Sequence, residues 1–157
     1  LSPRLAGSEG LRTMDERTLR MASGPADVDA ICALDPIAEH DGGRRNTVAR
    51  AVEAGHCAVC VVEGRIAGYV VWEYSFFEQG FVSLLIVARE RRRQGLGRAL
   101  MAHVEGLCRT PKLFTSTNLS NHPMQDLLAR LRYTQAGVLH HLDEGDPEMV
   151  YVKHLGA

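Results

Sequence analysis

The stretch Phe81 to Cys108, FVSLLIVARERRRQGLGRALMAHVEGLC, constrains this chain more than any other. Phe81 to Val87 is a short apolar run rich in β-formers, which reads as a buried strand. Leu96, Leu100, Met101, Val104 and Leu107 recur at helical spacing. Between the two lie an arginine-rich turn and two glycines, Gly95 and Gly97. A strand that feeds through glycines into a helix N-terminus is a device for holding phosphate. The first N–H groups of the helix lack internal partners, and the aligned peptide dipoles leave partial positive charge there. Glycine lets the backbone reach an anion with no side chain in the way.

The segments around this unit predict a mixed sheet. Arg17 to Met21 reads as a first strand. A helix opens at Pro25 and runs through Val28, Ile31, Cys32 and Leu34, and Asp35-Pro36 ends it. A second helix, Arg44 to Ala54, closes at Gly55. A hairpin follows: strand His56 to Val62, turn Glu63-Gly64-Arg65, strand Ile66 to Tyr74. Ser75 to Gly80 connects it to the apolar strand. Lys112 to Ser116 is a further strand, and a helix from His122-Pro123 packs Met124, Leu127, Leu128 and Leu131. Strands Tyr133 to Leu142 and Met149 to Leu155 flank the acidic loop Asp143 to Glu148. The expected fold is α/β in the α+β sense. It is one mostly antiparallel sheet of about seven strands flanked by about four helices, in a single domain over residues 15–157. Residues 1–14 read as a flexible N-terminal arm or added sequence.

With 157 residues and 45% hydrophobic content, the chain can bury a substantial core. A formal net charge of -1 gives no general attraction to nucleic acid or membrane surfaces. No apolar run reaches membrane-spanning length and no signal-peptide profile opens the chain, so a cytoplasmic location is expected. Cys57 and Cys60 have CxxC spacing, but in the strand HCAVCVV residues three apart face opposite sides and cannot share a metal. They are expected as core cysteines, and no metal site is expected. The adjacent His140 and His141, read as strand residues, would diverge in the same way. Asp143, Glu144, Asp146 and Glu148 miss the spacing of a calcium loop. They read as a solvated turn, with a cation-attracting lip as the alternative.

Arg92-Arg93-Gln94-Gly95-Leu96-Gly97 matches the R/Q-x-x-G-x-G/A signature. Together with Leu85-Ile86-Val87 before it, Arg98-Ala99-Leu100 after it and the element order from Arg17 to Leu155, it resembles the GNAT superfamily of acyl-CoA-dependent N-acetyltransferases. The resemblance implies acetyl-CoA as acyl donor, with its pyrophosphate on the backbone N–H groups of Arg92, Arg93, Gln94, Gly95, Leu96, Gly97 and Arg98. It implies that the pantetheine arm pairs like a strand along Leu85, Ile86 and Val87, in a slot where the next strand splays away. It also implies contacts to the far side of the cofactor from Asn118 and Asn121, and an oxyanion donor at a backbone N–H near Val87. The arginine cluster Arg89, Arg91, Arg92 and Arg93 reads as an anion site, with a solvated basic turn or a nucleic-acid patch as alternatives.

Two family features are missing. The usual base, a glutamate early in the signature strand, falls at Phe81, and the usual tyrosine acid falls at Leu128. Glu73 and Tyr74, at the end of the preceding strand, are the substitute catalytic candidates, with Glu78 behind them. The expected activity is transfer of an acetyl group to a primary amine, small-molecule or peptide, by direct attack in a ternary complex. A CoA-binding regulatory module without turnover is the alternative, and a nucleic-acid binder using the arginine turn is disfavoured by the net charge. Phe76 and Phe77 either wall the acceptor pocket or serve as core or dimer contacts. Exposed sheet edges leave room for a homodimer.

Overall fold

A computed structural model describes residues 16–156. The expected N-terminal arm, residues 1–14, lies outside the described residues. The elements are β1 (Arg17–Met21), α1 (Gly24–Leu34), α2 (Gly42–Ala54), β2 (Cys57–Val62), β3 (Arg65–Phe76) and β4 (Gln79–Val87). They continue with α3 (Leu96–Leu107), β5 (Lys112–Asn118), α4 (His122–Arg130), β6 (Thr134–Leu139) and β7 (Glu148–His154). The strands form one seven-stranded sheet in the order β1-β2-β3-β4-β5-β7-β6. β4 and β5 run parallel, and every other neighbouring pair is antiparallel. Among the described residues, no helix is long and apolar enough to cross a membrane.

Strand alternation sorts the apolar residues into two layers. On one face Cys57, Val59, Tyr69 and Val71 meet Ile31, Cys32 and Val48 from α1 and α2. On the other, Cys60, Val70, Trp72, Val82 and Leu113 meet Leu100, Met101 and Val104 of α3 and Leu128 of α4. Each such side chain, fully buried, contributes about 1.5–3 kcal/mol before entropy is counted. Cys57 and Cys60 therefore enter opposite cores, as strand alternation requires, and burial pushes the Cys57 thiol up to about 12. Among the described residues no three His, Cys, Asp or Glu side chains gather as a metal-ligand set.

Local chemistry sets the helix ends. The Asp41 carboxylate caps α2 by accepting the Gly43 N–H at 2.8 Å, and Asn121 caps α4 by accepting the Met124 N–H at 3.2 Å. The α1–α2 connection is fixed by Asp35, which is 1% exposed. Its carboxylate accepts from Ile37 N–H at 2.9 Å, Arg44 at 3.0 Å and the Tyr69 hydroxyl at 2.5 Å. Burial, then the Asp35 carboxylate, pushes the Tyr69 phenol well above its ordinary range.

Several boundaries differ from the sequence expectation by two residues or more. β3 runs on to Phe76 and β4 begins at Gln79, so the expected connection Ser75 to Gly80 shrinks to a turn at Phe77-Glu78. Both turn residues take left-handed backbone, φ 49° and 61°, without glycine or asparagine to signal it. β5 extends two residues further, to Asn118. β6 stops at Leu139, so His140 and His141 lie past the strand, with ring centroids 6.4 Å apart. In β4 the pairing passes from Val71↔Leu84 to Trp72↔Val82, which leaves Ser83 as a bulge residue. The bulge resets the alternation, so Phe81 and Leu84 face the same side.

Two measurements check this packing. A Cβ at Gly80 would lie 2.6 Å from Cys108 Sγ and 3.2 Å from Leu113 Cδ1. Gly80→Val should therefore lower stability in urea unfolding by about 1–3 kcal/mol through overpacking. In the native protein a thiol reagent should consume the half-buried Cys108 well before the fully buried Cys57 and Cys60. Equal rates would contradict the two-core arrangement.

Candidate active site

The sheet forks beside the glycine-rich loop. β4 and β5 pair only through Gly80↔Leu113, Phe81↔Phe114 and Val82↔Thr115. Beyond Val82, β4 keeps its partner on the β3 side, through Leu84↔Val71, Leu85↔Val70, Ile86↔Tyr69 and Val87↔Gly68, but has none on the other among the described residues. β5 is in the matching position: Ser116, Thr117 and Asn118 pair with β7 alone. The Thr115 hydroxyl, buried at the branch point, donates to the Val82 carbonyl at 3.0 Å. The result is a cleft with a row of backbone donors and acceptors on each wall. An extended chain carrying amides, such as a pantetheine arm, fits such a cleft by pairing as a strand does.

The loop that ends β4 stands at the open end of the fork. Gly95 is the N-cap of α3 at φ 80°, in a region that glycine occupies without steric cost. Among the described residues no side chain caps this helix, in contrast to α2 and α4. The Ala99 N–H bonds the Gly95 carbonyl at 3.0 Å, which leaves the N–H groups of Leu96, Gly97 and Arg98 ahead of it without an intrahelical carbonyl. Arg93 is also left-handed, at φ 61°, and such reversals turn successive N–H groups into a concave anion nest. The loop thus fits a pyrophosphate through its backbone. Leu96 is buried and anchors the helix start in the core, whereas Arg92, Arg93, Gln94 and Arg98 are exposed. Gly97 faces α4, where a Cβ would come 3.3 Å from Leu127 Cδ2.

Side chains from elsewhere in the sheet reach this loop. Arg17 of β1 donates to the Gln94 carbonyl at 2.6 Å, and Arg91 bonds Glu63 of the β2–β3 turn at 2.7 Å. Sequence reasoning missed Arg17. It lies 77 positions from Gln94, and nothing in its local spacing marks it.

On the far wall, Asn118 donates to Asp143 Oδ2 at 2.9 Å and to the Asp146 carbonyl at 3.3 Å. Ser120 bonds the Asp146 carboxylate through its N–H at 2.9 Å and its hydroxyl at 2.5 Å. The acidic loop is therefore tied to the β5–α4 turn through Asp143 and Asp146. Asn121 commits its side-chain oxygen to capping α4.

The two catalytic candidates separate. Glu73 is the cross-strand partner of Phe81 and is exposed, on the face that carries Tyr69 and Val71. Tyr74 packs with the α3-side core. Its hydroxyl accepts the Arg109 N–H at 3.1 Å, the Arg109 guanidinium lies 4.4 Å over its ring, and His56 meets it edge-on at 5.5 Å. Neighbouring strand residues cannot act at one point from opposite faces. Leu128, the position at which the resemblance places the usual acid, is fully buried. Phe81 stacks at 4.8 Å on Phe76, which also lies 5.2 Å from Phe114 of β5 and 5.0 Å from Phe77.

Comparison with known proteins agrees with this geometry. The model of the acetyltransferase (GNAT) family matches residues 27–133. A crystal structure of a GNAT-family acetyltransferase from Bacillus cereus ATCC 10987 superposes with a TM-score of 0.83 at 30% identity, covering 88% of this chain and 97% of that one. The ribosomal-protein-S18-alanine N-acetyltransferase of Escherichia coli shares the fold at 16% identity and a TM-score of 0.76, over 90% of this chain and 96% of its own. A protein from Bacillus anthracis str. Ames, solved in complex with acetyl coenzyme A, matches with a TM-score of 0.59 at 14% identity, over 62% of this chain and 61% of its own. No curated protein sequence gave a match. Fork, loop and family match lead to one statement: the chain belongs to the GNAT family of acetyltransferases.

Proposed function

We propose that this acetyltransferase moves an acetyl group from acetyl-CoA to a primary amine by direct attack in a ternary complex. The observation that carries the proposal is the fork between β4 and β5, which opens toward an uncapped helix N-terminus held by the glycine loop. In this reading Leu85, Ile86 and Val87 pair with the pantetheine arm through their backbone. Arg92, Arg93, Gln94, Gly95, Leu96, Gly97 and Arg98 take the pyrophosphate, and Asn118 and Asn121 stand on the far side. The acetyl-CoA complex of the Bacillus anthracis neighbour supports the choice of donor. The name of the Escherichia coli neighbour supports an amine as acceptor.

Acetyl-CoA supplies an activated acyl group as a thioester. The protein must desolvate and orient a neutral amine against it and stabilise negative charge on the carbonyl oxygen. The N–H groups of Leu84 to Val87 that face the fork are the nearest fixed donors for that charge, with Val87 the candidate of choice. One ammonium proton passes to Glu73 through water before attack; as the C–N bond forms and the C–S bond breaks, the nitrogen gives its second proton to solvent and the departing thiolate takes one from solvent. Tyr74 supports the end of α3 in this scheme. Phe81 and Leu128, in place of the usual base and acid, favour one rival reading: a regulatory module that binds CoA and does not turn over.

Calorimetry should detect CoA binding, and Gly95→Val should weaken it at least about tenfold by straining a left-handed position and blocking backbone approach. Absence of binding at millimolar CoA would overturn the proposal. Glu73→Gln should lower kcat/KM for an accepted amine by about 10²- to 10⁴-fold while CoA affinity stays unchanged. Full activity in this variant would remove Glu73 from the chemistry, and CoA binding without thiol release from any amine would favour the regulatory reading.

A further inference from the structure

We infer that the acceptor is a small primary amine carrying an aromatic ring, which seats on a floor of four phenylalanines beside the fork; this rests on the acetyl-transfer reading above. Phe76 ends β3, Phe77 stands in the β3–β4 turn, Phe81 comes from β4 and Phe114 from β5. Phe81 and Phe114 are register partners in the short parallel segment that closes the fork. Their rings meet through Phe76, at 4.8 and 5.2 Å. None of the four belongs to either hydrophobic core. Their neighbours Val82 and Leu113 point into the α3-side core, so the rings lie on the opposite face, where Glu73 also stands.

Phe77 is the decisive residue. It is 84% exposed, its ring stands nearly perpendicular to that of Phe76, and its backbone is held at φ 49°. A bulky residue in left-handed backbone is a steric outlier, and Glu78 beside it shares the condition. A ring held there facing water does little for the fold, but it makes a wall at the edge of an aromatic surface. Glu73 pairs across the strands with Phe81, which places their Cβ atoms about 4.5–5.5 Å apart. One end of the floor is thus anionic and the other aromatic. An arylalkylamine matches both, with its ammonium toward Glu73 and the fork, and its ring against Phe77 and the stacked phenylalanines.

A second copy of the chain is the other occupant such a surface could take. Stable interfaces bury about 1,200–2,000 Å² in all. A single exposed ring supplies at most about 150–250 Å² of that. The floor also runs directly into the fork, which a dimer contact would have no reason to do.

The test is thiol release from acetyl-CoA with phenethylamine, tyramine, n-butylamine and spermidine, together with calorimetry for CoA. The expected result is a kcat/KM for phenethylamine roughly 10- to 100-fold above that for n-butylamine, in the range a filled apolar pocket provides. Phe77→Ser should bring that ratio toward one by raising KM for phenethylamine, with CoA affinity unchanged as proof of folding. Equal or better use of n-butylamine or spermidine would overturn the inference while leaving acetyl transfer intact. So would a ratio unaffected by Phe77→Ser, or a dimer that this substitution converts to monomers. Failure of CoA to bind would instead sink the acetyl-transfer reading, and the floor with it.

Discussion

The parting of β4 from β5 after Val82 is the constraint around which the molecule is arranged. Three residue pairs join the two halves of the sheet by backbone hydrogen bonding, and beyond them each half presents an unpaired edge. Such edges cost stability when buried and invite aggregation when exposed, so a fold keeps them only inside a protected, hydrated cleft. The halves must then be joined by other means. Glu105 of α3 accepts from the Tyr133 hydroxyl at 2.9 Å and from Lys153 of β7 at 3.0 Å. Burial, then the Glu105 charge, pushes the Tyr133 phenol well above its ordinary range. A helix that belongs to the β4 half thus grips a strand of the β5 half at the closed end of the fork, where Lys153 pairs with Leu113 and Leu113 with Gly80.

On the other face the Asp35 carboxylate does comparable work. With three donors upon it, it fastens the α1–α2 connection to the middle of β3. A buried carboxylate is costly unless its lone pairs are satisfied, and losing one donor leaves charge exposed to a low-dielectric core. This arrangement gives α1 and α2 one position over the sheet, on the side where Glu73 and the phenylalanine floor lie.

The signature unit was legible in the sequence because each part is local. The apolar run, the glycines and the helical spacing from Leu96 to Leu107 lie within 28 residues, Phe81 to Cys108. The split of Cys57 and Cys60 was legible for the same reason, and the same alternation rule already separates Glu73 from Tyr74. The bulge at Ser83 was not legible, because it exists only as a mismatch between two strands. The Phe77-Glu78 turn carries no glycine or asparagine, so its residues read as part of a longer connection. His140 and His141 continued the strand pattern of Val138 and Leu139, whereas pairing to β7 ends at Leu139. The hold of Arg17 on Gln94 depends on the sheet order, which composition and periodicity do not encode.

That last contact ties an outer strand to the glycine-rich loop. Among the described residues β1 forms one edge of the sheet, with β2 as its sheet neighbour. Because its first residue grips the Gln94 carbonyl, the ordering of the edge and the ordering of the loop share a term in free energy, and linkage makes that term reciprocal. Whatever steadiness β1 lends the loop, a steadied loop returns to β1. One edge of the sheet and the turn ahead of α3 are therefore firm or loose together.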